Sequence, residues 1–177
     1  RAYSYLPARN GGTLSDIIAL HTLKWTDPNF IRYSWLDRGS DERQYCSPGI
    51  DLPVASILRT KYGEYPEYHT SLDDLKNVVS KEGLEGGYEV IKKALEAIER
   101  NKKYKVSFLC EPQMSKRNLY PDLSEKKVDE DISLMMNLIS FCDGNTSLLD
   151  ISEKLNVPIW TLYNLVEKLK SHNLIEE

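Results

Sequence analysis

Cysteine and histidine are both scarce in this chain of 177 residues, which has three of each. The thiols are Cys46, Cys110 and Cys142, an odd number at wide spacing with no C-x-x-C pair. This pattern excludes a disulfide framework and a cysteine-rich zinc site. It predicts reduced thiols and a cytoplasmic protein.

Long apolar runs are also missing. No stretch approaches the roughly 18 residues that a membrane-spanning helix needs, so no membrane segment is expected. The chain begins Arg1-Ala2-Tyr3, without an initiator Met or the pattern of a signal peptide, and we expect it to be the remainder of a longer protein. A hydrophobic content of 41% with 28% charged residues indicates a soluble globular protein, large enough for one good-sized core or for a domain with a small appendage.

Positive charge is short in the last fifty residues. Residues 128–177 hold three Lys against nine Asp or Glu, a net charge of -6 within a chain of -4, which leaves +2 for the rest. Nucleic-acid affinity comes largely from Lys and Arg that displace counterions from phosphates. The composition therefore predicts no nucleic-acid partner.

The first half has a mixed α/β pattern. Thr13 and Asp16 have the spacing of a helix start, and the apolar period predicts a helix from Leu14 to about Lys24. Alternation over 31–35 predicts a half-buried strand, and the apolar run 54–58 predicts a central strand buried on both faces. After overlapping capping signals at 70–74, Leu72, Leu75, Val78 and Val79 predict the buried face of another helix.

The second half is mainly helical. Residues 83–87 are expected to interrupt the chain before a helix over 88–101. Residues 106–109 are predicted to form a strand. Residues 111–127 have no period and are interpreted as a connecting segment. Helical patterns follow at 132–139, 148–155 and 159–169, with Pro158 suited to a first helical position and a strand starting near 172. This order resembles a winged helix-turn-helix domain over 128–177.

The stretch from Arg38 to Asp73 carries the candidate chemistry. His69 follows a predicted strand and loop and precedes a predicted helix, a place where α/β proteins bind ligands. A lone histidine is more often structural, and a catalytic zinc needs about three protein ligands. His21 is expected to be packed, and Cys46 is a poor candidate for a nucleophile with His69 as its base. Asp73 is either a site residue or an ordinary acid at a helix start.

Two blocks carry a family resemblance: Arg38-Gly39-Ser40-Asp41-Glu42 and Tyr68-His69-Thr70. Together they resemble bacterial aminopeptidase-like zinc exopeptidases associated with polysaccharide biosynthesis, in the aminopeptidase and transferrin-receptor superfamily. The resemblance implies an α/β fold: the C-terminal part of an α/β/α peptidase domain over 1–110, a connecting segment over 111–127 and a winged-helix domain over 128–177. It further implies that His69 is a zinc ligand, Tyr68 a catalytic oxyanion donor, and Ser40 and Asp41 substrate-binding residues.

The remaining ligands of that family, its His-x-Asp segment and its Glu pair, have no counterpart in this sequence. We therefore expect a part of a zinc-dependent hydrolase of peptide or amide bonds that is inactive as this chain alone. The winged-helix domain is expected to make protein contacts. Two alternatives are a non-catalytic binding protein with a peptidase fold and, less favoured, a DNA-binding regulator. The substrate and the oligomeric state do not follow from the sequence.

Overall fold

The computed structural model describes residues 2–117, 119 and 126–177. The chain divides into two units, Arg1–Glu96 and Ala97–Glu177. The elements of the first are β1 (Ser4–Leu6), α1 (Leu14–Thr26), β2 (Ile31–Arg32), α2 (Glu42–Tyr45), β3 (Ser56–Leu58) and most of α3 (Lys81–Arg100). Those of the second are β4 (Lys103–Val106), α4 (Lys126–Ser140), β5 (Asp143–Ser147), α5 (Leu148–Leu155), α6 (Ile159–Ser171) and β6 (Ile175–Glu176). The result is the mixed α/β fold with a C-terminal winged-helix domain that the sequence predicts.

The first unit is organised around β1 and α1. The strand order is β2-β1-β3, with β1 parallel to β2 and antiparallel to β3. Thr13 and Asp16 form the expected capping box at the start of α1. Asp16 is fully buried and also accepts hydrogen bonds from the Tyr5 hydroxyl at 2.7 Å and the Ala8 N–H at 2.9 Å. The capping residue thus joins the helix to the strand beside it.

Two strand predictions are corrected. The predicted strand over 31–35 ends at Arg32, and a 3-10 turn occupies Trp35–Asp37. The strand predicted at 54–58 is shorter, only half-buried, and lies at an edge of the sheet that the described residues form, not at its centre. Its apolar composition has a different cause, because Ala55 and Ile57 pack on one face against the core of Tyr5, Ala19, Leu23, Phe30 and Val90.

The helix predicted after Thr70 does not form. Residues 70–79 make a series of turns, and Leu72 and Leu75 are 55% and 79% exposed. The capping side chains bond within these turns: the Thr70 hydroxyl donates to the Glu67 carbonyl and accepts from the Leu72 N–H. Such local bonds compete with helix formation. Conversely, 83–87 do not interrupt the chain, because Gly83, Gly86 and Gly87 lie inside α3.

The second unit has the winged-helix order. Ser147 caps α5, Asn156 ends it with a left-handed φ of 52°, and Pro158 directly precedes α6 as its cap residue. The sheet has the order β5-β4-β6 with antiparallel pairs, and β5 is an element that the sequence pattern did not indicate. The central strand of this unit, β4, lies within 1–110, the range predicted for the peptidase-like domain. The segment 111–127 lies partly outside the described residues.

Among the helices of the described residues, none combines the length and the apolar composition needed to cross a membrane.

Candidate functional site

Tyr68 and His69 form a stacked pair on an exposed turn. Their ring centroids lie 4.0 Å apart with 18° between the planes. The Thr70 N–H donates to the Glu67 carbonyl at 3.0 Å and closes the turn around the pair. His69 has a φ of 59°, uncommon for a residue with a side chain but suited to the third position of a tight turn. The turn leaves the imidazole exposed and Tyr68 half-buried.

Two further tyrosines surround Tyr68. Tyr65 meets it edge-on with centroids 5.7 Å apart, and the Tyr62 ring lies at 6.2 Å. The Tyr65 hydroxyl donates to Asp73 Oδ2 at 2.9 Å. Asp73 therefore belongs to this aromatic cluster, and the interpretation as a helix acid is wrong because no helix starts there.

Ser40 and Asp41 lie on an exposed loop that Glu42 holds in place. The buried Glu42 carboxylate accepts hydrogen bonds from the N–H groups of Gly39 at 2.8 Å and Ser40 at 3.0 Å. It also accepts a bond of 2.5 Å from the Tyr62 hydroxyl. Through Glu42 and Tyr62, the structure connects the two blocks that the sequence singled out.

The ionisation of this pair follows from its contacts. Burial by itself raises the pKa of Glu42, but the hydrogen bonds from Tyr62, Ser40 and Gly39 outweigh it, and the pKa is lowered overall. Burial and the bond to the Glu42 carboxylate raise the pKa of Tyr62 to about 12. At neutral pH Glu42 is therefore a carboxylate and Tyr62 a neutral donor.

Gly39 is required by the close approach of these two loops. A Cβ at this position would lie 2.8 Å from Cε2 of the Tyr62 ring. Sequence reasoning placed Gly39 and Glu42 in the resemblance block but assigned no role to Glu42 or Tyr62. The one local signal was the Gly-x-x-Glu spacing, because a carboxylate three residues after a glycine can accept a hydrogen bond from the glycine N–H.

Another contact fixes the loop that follows. Arg9 makes a two-pronged ion pair with Asp51, at 2.9 Å from Nε and 2.6 Å from Nη2, and Asn10 donates to the same carboxylate at 3.2 Å. The bond from Arg9 lowers the pKa of Asp51. Asp51 has a φ of 50°, so the charged pair holds a backbone conformation that side chains seldom adopt.

The described residues do not by themselves fit a zinc ion. No three His, Cys, Asp or Glu side chains come together as a metal-binding group in the part of the chain that the structure describes. His69 offers one ligand where a catalytic zinc needs about three. Cys46 is fully buried with its thiol toward the Val54 carbonyl at 3.6 Å, and His21 is 3% exposed. Cys46 and His21 thus occupy packed positions.

Comparison with known proteins finds a curated relative and a solved structure that are similar to this chain. A curated relative from Clostridium acetobutylicum, named as a candidate polysaccharide biosynthesis protein with an aminopeptidase-like domain, is 42% identical over 120 residues. The match covers 66% of this chain and 27% of that relative. A crystal structure of a candidate peptidase from Clostridium acetobutylicum superimposes with a TM-score of 0.84 at 30% identity, over 99% of this chain and 38% of that one. The chain thus spans well under half the length of both proteins.

Two family models match consecutive parts of the chain. A winged helix-turn-helix model matches residues 102–177, in agreement with the fold of the second unit. A model described as a domain of unknown function, DUF4910, matches residues 1–101, more than half of the chain. The peptidase-like fold of the structural neighbour and the aminopeptidase-like domain of the curated relative accord with this assignment, and the chain belongs to the DUF4910 family.

Proposed function

We propose that this chain is part of an aminopeptidase-like hydrolase of peptide or amide bonds and forms one wall of its substrate cleft. The observation that carries the proposal is the match of 99% of the chain, at a TM-score of 0.84, to a candidate peptidase. The contacts of Tyr62 with Tyr68 and with Glu42, the residue that anchors the loop of Ser40 and Asp41, support it.

Tyr68 is the residue proposed to act on the reacting carbonyl. Its ring is held between His69 and Tyr65, so the phenol is positioned before substrate arrives. A fixed hydroxyl can donate to the oxygen that becomes negative as a carbonyl is attacked, and preorganised donors of this kind contribute strongly to catalysis. Ser40 and Asp41, exposed on the loop that Glu42 anchors, are proposed to contact the substrate.

Zinc is proposed only for a longer protein. His69 has an exposed imidazole and would supply one ligand, while the others would come from polypeptide outside residues 1–177. A bound zinc would supply Lewis acidity in such a site.

The metal proposal is tested on the full-length gene product by measuring zinc content in the parent and in His69→Ala. We expect the variant to lose bound zinc. His172→Ala is a matched control, because His172 is also exposed but lies beyond α6 in the winged-helix unit. Equal zinc in the parent and in His69→Ala would remove His69 from the ligand set.

The catalytic proposal is tested with Tyr68→Phe in the same protein, which keeps the stacked ring and removes the hydroxyl. Loss of one oxyanion donor should lower kcat for aminoacyl amides by about 100-fold with little change in KM. Tyr45→Phe, at an exposed position, is the control. An unchanged kcat would exclude the role of Tyr68. A full-length protein that binds such amides without turnover would support the alternative of a non-catalytic binding protein.

A further inference from the structure

Helix α3 buries its small residues and exposes its large ones. Val90 and Ala94 are 2% and 8% exposed, and Val90 belongs to the core of the first unit. One turn earlier, Gly86 lies so close to neighbouring side chains that a Cβ would be 2.7 Å from the Tyr3 hydroxyl. The Tyr3 hydroxyl donates to the Gly86 carbonyl at 3.0 Å. The face of α3 that contacts its own unit is thus built for close approach.

The apolar stripe of α3, defined as Leu84, Tyr88, Ile91 and Leu95, lies on a different face. These side chains are 61%, 64%, 41% and 58% exposed. Their spacing of four, three and four residues aligns them over about 16 Å of helix. A third face is polar and carries Glu85, Glu89, Lys92 and Glu96. An apolar period of this kind is typical of a helix face that packs against other polypeptide, but within this chain the stripe is exposed.

The exposed stripe is large enough to be a contact surface. The four side chains present apolar surface on the order of 500 Å², at the upper end of the largest patch on a typical monomer, and such patches mark interaction sites. The solvent face of an ordinary surface helix is polar. Since α3 already has a polar face and a buried face, its apolar stripe has the composition of a second packing face, although it is exposed in this chain.

We propose that the apolar stripe of α3 is an interface for a further part of the same gene product, which completes the peptidase-like domain. The matched candidate peptidase is longer: 99% of this chain corresponds to only 38% of it. The stripe lies in the unit that the DUF4910 model matches. The covering polypeptide is expected to present an apolar face bordered by Lys or Arg, because three carboxylates and one ammonium group lie beside the stripe.

The test compares thiol labelling at adjacent residues of α3. Leu95→Cys places a thiol in the stripe and Glu96→Cys places one on the polar face, each in a Cys110→Ser background because Cys110 is the exposed native thiol among the described residues. In the 177-residue chain we expect both thiols to react with a maleimide at similar rates. In the full-length gene product, Leu95→Cys should react at least tenfold more slowly than Glu96→Cys, at every protein concentration.

Two outcomes would overturn the proposal. Similar rates for both thiols in the full-length protein would show that nothing covers the stripe. Slow labelling of Leu95→Cys that appears only as protein concentration rises would assign the cover to a second copy of the chain. Tyr88→Cys and Glu89→Cys provide a second pair if Leu95→Cys alters the circular dichroism spectrum. The labelling requires neither metal nor substrate, so its result is independent of the proposed hydrolysis.

Discussion

The two units differ in how completely they bury their apolar side chains. Among the described residues, fifteen large apolar side chains are exposed, thirteen in residues 1–96 and two in 97–177. Of the largest fully buried side chains, four lie in the first unit and eight in the second. The winged-helix unit therefore contains its own core. The peptidase-like unit leaves most of the exposed large apolar side chains on its surface, in keeping with the proposed cover over α3.

Local structure accounts for much of this difference. In the second unit, α5 and α6 pack against each other and against a three-stranded sheet, so that Leu148, Ile151, Ile159 and Leu162 are at most 1% exposed. In the first unit the strands are only two or three residues long, and both residues of β2 are exposed. Small sheets of this kind need packing on a face to be stable.

The sharpest test of the contrast is a pair of leucine truncations in the 177-residue chain. Leu162→Ala removes a fully buried side chain and should lower the free energy of unfolding of the second unit by about 2–5 kcal/mol. Leu95→Ala should change that of the first unit by no more than about 0.5 kcal/mol, because the side chain is exposed. Hydrogen exchange measured at increasing denaturant concentration gives the free energy of unfolding of each unit separately. Equal losses would refute the contrast.

Tyr62→Phe tests the contact between the two loops of the site. Removing a hydroxyl that donates to a buried carboxylate should cost about 1–3 kcal/mol of stability. The pKa of Glu42 is lower in the folded protein than its ordinary value. The Glu42 carboxylate therefore stabilises the fold above the ordinary Glu pKa, and this stabilisation is lost as pH falls through the folded pKa. The thermal midpoint of the parent should therefore fall more steeply than that of the variant between about pH 5 and pH 3. Tyr45→Phe, an exposed position, should behave as the parent does.

A third pair of substitutions distinguishes two adjacent glycines of α3. Gly86→Ala should lower stability by about 1–3 kcal/mol, because its Cβ would lie 2.7 Å from the Tyr3 hydroxyl. Gly87→Ala should raise stability by about 0.5–1 kcal/mol, since its Cβ meets Arg59 Cγ at an ordinary 3.8 Å and alanine favours the helix. Thermal unfolding of both variants measures the difference, and effects of the same sign would show that the close approach is not what governs Gly86.

The boundary between the units also changes one argument from charge. The value of -6 belongs to residues 128–177, but the winged-helix match begins at residue 102. Over 102–177, ten Lys or Arg stand against twelve Asp or Glu, a net charge of -2. Lys103 and Lys105 of β4 account for part of this difference in net charge. The argument from charge against a nucleic-acid partner is therefore weaker over 102–177 than over 128–177. The absence of such a partner stays a prediction.

Local signals in the sequence were sufficient where hydrogen bonds close within a few residues. The capping box of Thr13 and Asp16 predicted the start of α1, and the apolar periods predicted α5 and α6. The same kind of signal was misleading after Thr70, where the capping groups close turns instead of a helix. The bond from Tyr62 to Glu42 has no local signature, because it joins residues 20 positions apart. No pattern in the sequence indicates the stacking of Tyr68 on His69 either.

The sequence by itself determined the resemblance to a peptidase-like family, the winged-helix order and the stretch in which the candidate site lies. Helix caps and apolar periods are encoded over one or two turns of chain, so they can be read without a structure. Only the tertiary structure decided that Glu42 and Tyr62 join the two blocks of the site, and that the largest apolar residues of α3 point away from their own core. Burial depends on which distant segments are present to pack, and periodicity shows only which residues share a face.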